Sequence, residues 1–277
     1  MREEGPVLVL GATGQIGRCL LARLAVQGRP AIAVCRRPEP SISPSAEWIS
    51  ADLRQPLELA SRRPAAVIHA TGAWLLPTQL GWLRQESQIR LICFSSTSML
   101  VKSASPSLAE REIAARLTAA EAALEATNIQ WTVLRPALIY GLGIDQNISA
   151  AARFIQRCHF FPLAGPGKGL RQPVHADDLA LAALAALDLG ASVHRTFNLG
   201  GGETLTYRQM IRRIFDVLGI PPRFLTLPFL RRLPGRIGAV AARMESDLAF
   251  DGGEFWSLAG VTPRPLLTGG RGDLGSA

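Results

Sequence analysis

An α/β fold built on a doubly wound parallel sheet is predicted by three observations. Short apolar, β-branched runs alternate with helical patterns through the first half of the chain. The first run leads into a glycine-rich turn and then into apolar residues at helical spacing. The chain has 277 residues with 48% hydrophobic content, enough for one large α/β domain or for a domain with a small lobe.

The first strand is Val7-Leu-Val-Leu10, short and bounded by turn residues. The turn is Gly11-Ala12-Thr13-Gly14-Gln15-Ile16-Gly17, and Ile16, Leu20, Leu21, Leu24 and Ala25 then repeat as one helix face. In this context each glycine has a task. Gly11 makes the tight turn, Gly14 lets backbone approach a pyrophosphate, and Gly17 lets the helix pack on the strand. The helix N-terminus offers free N–H groups to the phosphates. The expected ligand is a dinucleotide; the alternative is a strand–helix turn that binds nothing.

Further strands are read at residues 31–35, 47–50, 65–69, 89–94 and 130–134, with a long Ala/Glu/Arg-rich helix at 108–126. Ligands of such sheets sit at the carboxyl ends of the strands. Beyond residue 140 the pattern loosens. Helices are expected at 149–158, 178–187 and 207–218, and turns at 163–169 and 198–203. Residues 1–266 are read as one Rossmann-type domain with a substrate lobe drawn mainly from 141–266, and 267–277 as a disordered, Gly-rich tail.

The formal charge is +8, and all but two of the 30 basic residues, Lys102 and Lys168, are arginines. No long basic run or aromatic-interleaved patch points to nucleic acid. No segment reaches the roughly 18 uninterrupted apolar residues of a membrane span. The basic, partly amphipathic stretch 229–243 reads as a surface helix in preference to a peripheral membrane contact. Met1-Arg-Glu-Glu4 has no signal-peptide character, and the four cysteines have no metal-ligand spacing, so a cytoplasmic protein with reduced thiols and no metal is expected.

Two arginines, Arg36 and Arg37, follow the second strand, where an acidic residue would bond the ribose 2′-hydroxyl of NAD. A guanidinium suits a 2′-phosphate by charge and geometry, so NADP(H) is favoured over NAD(H). The alternative is a pair of solvated arginines.

The spacing G-x-x-G-x-x-G from Gly11 to Gly17, the Asp52-Leu53 pair, Arg135-Pro-Ala-Leu-Ile-Tyr-Gly141 and Gln172-Pro-Val-His-Ala-Asp-Asp-Leu-Ala180 are similar to the short-chain dehydrogenase/reductase superfamily, in its extended or atypical branch, the NAD-dependent epimerase/dehydratase family. The resemblance covers about residues 6–266. It implies that Asp52 and Leu53 meet the adenine, although Asp52 also suits a turn cap. It implies that Ala70, Thr71 and Gly72 pass the ribose and pyrophosphate, and that backbone around Pro136 and Leu138 meets the nicotinamide. Trp74 either lines the cleft or is ordinary packing. Asp177 or Asp178 is expected to cap a helix, and His175 to be structural.

Related proteins follow the fifth strand with a Ser/Thr element and a Tyr-x-x-x-Lys pair, the tyrosine acting as general acid/base. Phe94-Ser95-Ser96-Thr97 fits the first element. The resemblance places Thr97 and Ser96 at the catalytic position and Ser95 beside the cofactor. The second element is missing: Ile144 and Ile211 stand four residues after Tyr140 and Tyr207. Aligning on Glu121 places Ile113 and Leu117 at the tyrosine and lysine positions, with Arg116 and Lys102 as nearby cations. Two functions are therefore expected. One is an oxidoreductase or epimerase on a nucleotide-sugar or other carbonyl compound, using Thr97, Lys102 or His175. The other is a non-catalytic NADP(H)-binding sensor or accessory subunit.

Overall fold

The computed structural model describes residues 5–85, 89–105, 107–233 and 235–275. The expectation about Met1–Glu4 and the last two residues of the tail lie outside them. Seven parallel strands form the central sheet: β1 (Val7–Leu10), β2 (Ala31–Cys35), β3 (Glu47–Ser50), β4 (Ala66–His69), β5 (Arg90–Phe94), β6 (Gln130–Pro136) and a strand numbered β11 by its place in the chain (Arg195–Leu199), in the order β11-β6-β5-β4-β1-β2-β3. The order reverses direction at β1, so the carboxyl ends of β1 and β4 form the crevice expected of a doubly wound sheet.

Alternation along each strand divides the core into two faces. Val7, Val9, Ile68, Ile92, Phe94 and Leu134 pack under α1 (Gln15–Val26), α6 (Ala176–Asp188) and α9 (Gly253–Ala259). Leu8, Leu10, Val67, Leu91, Cys93 and Val133 pack under α2 (Leu76–Leu83) and α4 (Leu108–Glu125). α1 and α6 are also tied by charge: Arg23 makes a bidentate pair with Asp177 at 2.6 Å for both bonds.

A third apolar cluster, including Tyr140, Ile155, Leu163, Ile214, Phe215 and Leu266, forms the lobe. Its helices are α5 (Ile148–Cys158) and α7 (Tyr207–Leu218). The short pairs β7 (Leu138–Tyr140) with β10 (Pro173–His175), β9 (Leu170–Arg171) with β12 (Leu205–Thr206), and β8 (Phe161–Leu163) with β13 (Phe224–Thr226) complete it. α7 starts with a Thr206/Gln209 capping box and ends at Gly219 with φ 69°. Among the described residues, the other α-helices are the short α3 (Ser98–Lys102) and α8 (Gly235–Arg243).

Three expectations are corrected. The segment around Asn198, read as a turn, is the end of edge strand β11, whose five residues pair with Thr132–Pro136 of β6. The N-cap of α6 is His175, whose Nδ1 accepts the Asp177 N–H at 3.1 Å; Asp177 and Asp178 lie in the first turn and engage Arg264 instead. The tail is not free of structure: Gly270–Leu274 forms a 3₁₀ turn, Leu267 and Asp273 are buried, and Asp273 accepts the Gly269 N–H at 2.9 Å.

Candidate dinucleotide site

The glycine loop sits at the crevice. Gly11 and Ala12 both donate to Val34 O, at 3.0 and 3.1 Å, which turns the chain across the end of β2. Gly11 has φ +88°, and a Cβ there would lie 2.8 Å from Thr71 Cβ. A Cβ on Gly17 would lie 2.3 Å from Gly11 O, so only glycine lets α1 start this close to the loop. Gly14 is exposed and is the N-cap of α1; no side chain caps it and no acid occupies the first turn. The N–H groups and the positive end of α1 are thus open to an anion. Ile16 is buried in the core beneath, and Gln15 Nε2 donates to Gly141 O at 2.7 Å, bridging the loop to the segment after β6.

The outer edge carries the residues read as the ribose subsite. Arg36 and Arg37 are exposed at the end of β2. Two further charges were missed in the sequence. Arg18 donates from Nε to Thr13 O at 2.9 Å and pairs with Glu39 at 2.7 Å, so a carboxylate does stand near the end of β2, already neutralised. Asp52 is paired with Arg54, whose hydrogen bonds hold its carboxyl down to about 2; Arg36 acts on it in the same direction. Leu53 is buried, and its carbonyl accepts Gln79 Nε2 at 2.9 Å. Ser50 Oγ donates to Arg36 O at 3.2 Å, which joins the ends of β2 and β3.

Ala70, Thr71 and Gly72 leave β4 at the centre of the crevice, where Ala70 N donates to Leu10 O at 2.8 Å. Ser95 follows β5; its N–H donates to Leu134 O at 2.8 Å, while its buried Oγ has no partner. Ser96 Oγ accepts the Ser98 N–H at 3.1 Å. Thr97 is buried, and its hydroxyl donates to Pro136 O at 3.2 Å, so the proton of the candidate catalytic hydroxyl is committed to backbone. Pro136 is buried at the end of β6, and Leu138 opens β7, half-buried. An uncapped helix start, a glycine-lined turn and an unpartnered hydroxyl at one crevice fit a dinucleotide.

The positions of the missing pair are apolar in space as in sequence. On α4, Leu117 is buried in the core and Ile113 packs half-buried against it. Glu121, also buried, holds Arg135 through bonds of 3.1 Å to Nε. Arg116 stacks on Trp74, its Cζ 4.9 Å from the ring centroid. Lys102 is on α3, where burial lowers its pKa. Tyr140 is buried in the lobe, donating to Pro265 O and accepting from Leu267 N, both at 3.2 Å; burial raises its pKa. Tyr207 lies under Arg171. His175 is buried, T-stacked on Tyr140 at 5.0 Å, with Nε2 3.4 Å from Asp273. Its Nδ1 accepts a backbone N–H, so Nε2 carries the proton toward Asp273. His175 thus serves the lobe and the tail.

Two hollows lie elsewhere. One of about 630 Å³ is walled by Gly200–Gly202, Gly252 and Trp256, beyond the end of β11. The other, about 1260 Å³, is lined by Pro6, Pro30, Ala66, Arg90 and Gln130 at the amino ends of the strands. Neither includes the loop, and the second is at the wrong end of the sheet for a dinucleotide. Among the described residues, no helix is long and apolar enough to cross a membrane.

Residues 11–143 match the NAD(P)H-binding family. Over 127 residues, 46% of this chain and 31% of the relative, the sequence is 35% identical to NADH dehydrogenase [ubiquinone] 1 alpha subcomplex subunit 9, mitochondrial, of Arabidopsis thaliana. Over 232 residues, 82% of this chain and 25% of the relative, it is 28% identical to an uncharacterized protein of Mycobacterium tuberculosis. The chain thus spans about a quarter to a third of the length of these curated relatives. Among solved structures, MoeE5 in complex with UDP-glucuronic acid and NAD is 25% identical, with a TM-score of 0.72 and 97% of each chain covered. UDP-glucose 4-epimerase of Thermotoga maritima with UDP-glucose is 19% identical, with a TM-score of 0.73 and 96% of each chain covered. Residues 11–143 thus match an NAD(P)H-binding family, and the chain has the fold of MoeE5 and of the Thermotoga maritima epimerase.

Proposed function

We propose that this protein binds NADP(H), in preference to NAD(H), as a resident ligand, and acts as a redox sensor or accessory subunit. One observation carries the reading. The phosphate loop is complete, yet the face of α4 that would move a proton holds Ile113 and buried Leu117. The curated plant relative is named as a subunit of NADH dehydrogenase, which supports an accessory role. The preference for the 2′-phosphate rests on Arg36 and Arg37, exposed at the end of β2. Gly11, Thr13, Gly14, Gln15, Ile16 and Gly17 would take the pyrophosphate through backbone, Asp52 and Leu53 the adenine, and Ala70–Gly72 the ribose. Ser95, Pro136 and Leu138 would meet the nicotinamide half.

Hydride transfer belongs to the nicotinamide when it is bound. What this chain would have to add is a proton donor, and its fixed hydroxyl, Thr97, already donates to Pro136 O. A second reading, an oxidoreductase or epimerase on a nucleotide-sugar or other carbonyl compound, is favoured by the Ser95-Ser96-Thr97 turn and by the fold shared with MoeE5. The two separate by experiment. Protein loaded with NADPH is incubated with nucleotide-sugars and a carbonyl panel while absorbance at the nicotinamide band is followed. The resident-ligand reading expects tight binding and no oxidation; oxidation dependent on one substrate, lost in Thr97→Ala, would establish the enzyme instead.

A further inference from the structure

α4 carries an exposed cation, Arg116, that rests on a side chain from the segment following β4. Arg116 lies over the Trp74 ring, and the ring in turn lies over Gly72. A Cβ on Gly72 would be 2.5 Å from Trp74 Cζ2 and 2.6 Å from Cε2, so only glycine leaves room for the indole there. Trp74 remains 39% exposed, which is high for a ring whose role is packing alone. Among the described residues, no carboxylate pairs with Arg116. An aromatic face thus holds a guanidinium in a fixed direction without neutralising it.

The location gives this pair its meaning. Gly72 follows Thr71, whose Cβ abuts Gly11, so the indole stands at the same strand ends as the phosphate loop. Arg116 precedes Leu117, the residue aligned with the absent lysine. In related proteins that lysine has two tasks, binding the nicotinamide ribose and lowering the pKa of the tyrosine. An arginine can perform the first by charge and hydrogen bonding. It contributes nothing to the second here, because position 113 holds isoleucine and no tyrosine.

We propose that Trp74 and Arg116 form one wall of the dinucleotide site, with Arg116 binding the phosphate–ribose portion of the bound nucleotide on its nicotinamide side. The inference rests on the dinucleotide reading. It explains how the site keeps a cation for binding after losing the relay for proton transfer. The indole also acts as an internal reporter, since a nicotinamide nucleotide beside it quenches its emission and accepts its excitation energy.

The test titrates NADPH into the wild type, Arg116→Ala, Arg116→Lys and Trp74→Phe, by calorimetry and by tryptophan emission. Loss of a charged hydrogen bond predicts a Kd raised roughly tenfold or more in Arg116→Ala. Arg116→Lys, which keeps the charge, should recover part of that loss. Trp74→Phe should still bind NADPH, but with most of the nucleotide-dependent quenching and energy transfer gone. Arg116→Ala binding within twofold of wild type, or quenching unchanged in Trp74→Phe, would overturn the proposal. So would a lower melting temperature in Arg116→Ala with unchanged affinity, because the stack would then be purely structural. Wild-type protein that binds no nucleotide would remove the dinucleotide reading itself, a distinct failure visible in the first titration.

Discussion

Gly17 and Gly14 separate structure from binding within one turn. The Gly17 Cβ direction runs into Gly11 O at 2.3 Å, whereas that of Gly14 meets nothing closer than Gly11 O at 3.3 Å. Gly17→Ala should therefore destabilise the fold by about 1–3 kcal/mol through overpacking, read by urea denaturation. Gly14→Ala should leave the denaturation midpoint nearly unchanged and weaken NADPH binding roughly tenfold, because its methyl group stands where backbone meets pyrophosphate. Equal effects of the two changes on stability would contradict these roles. Glu39 supplies a second contrast, since it holds the Arg18 guanidinium at 2.7 Å. Glu39→Gln should free Arg18 for a 2′-phosphate and raise NADPH affinity several-fold while leaving NADH affinity little changed. An equal gain for both nucleotides would place the pair away from the 2′ position. The glycines could be read in sequence because their meaning is local, set by the strand before and the helix after. The Arg18–Glu39 pair could not, because it closes across 21 positions and depends on how β2 sits beside the loop.

At the scale of elements, long-range pairs fix the frame around the crevice. Glu121 on α4 holds Arg135 at the end of β6, with the carboxylate buried. Glu121→Ala leaves the half-buried guanidinium without its partner and should cost about 3 kcal/mol, measured by chemical denaturation. A loss below 1 kcal/mol would show that the pair does not tie α4 to the sheet. Strands β1 to β6 and the helices of the lobe were legible because apolar periodicity marks them. β11 was not, because Arg195, Thr196 and Asn198 interrupt its apolar residues and the following glycines look like a turn. The cap of α6 was misplaced for a chemical reason: an imidazole nitrogen accepts the bond usually given to a carboxylate, and the acids serve Arg23 and Arg264. The tail was misread because glycine content hid two anchors, Leu267 in the lobe core and Asp273 beside His175.

For the whole molecule, one buried base sets a pH window. His69 ends β4 with 0% exposure, neither ring nitrogen has a partner, and burial pushes its pKa down to about 4 from an ordinary 6.5. Between those values the unfolded chain takes up a proton that the native fold refuses. Stability from this residue is therefore present above about pH 6.5 and lost as pH falls toward 4, by up to roughly 3 kcal/mol. Asp52 gives up its share lower, between its ordinary 3.8 and about 2. Urea midpoints at pH 7.5, 5.5 and 4.5 should fall steadily in the wild type and less steeply in His69→Phe; parallel slopes would show that His69 is not the group responsible. The same molecule joins a complete phosphate loop to an α4 face that holds Ile113 and Leu117 where a proton relay would stand. The most direct test is calorimetric titration with NADPH and NADH, followed by hours of monitoring the bound NADPH in the presence of nucleotide-sugars. NADPH should bind roughly tenfold tighter than NADH or better, and the nicotinamide signal should not decay. Equal affinity would remove the role given to Arg36 and Arg37, and substrate-dependent decay would contradict the resident-ligand function.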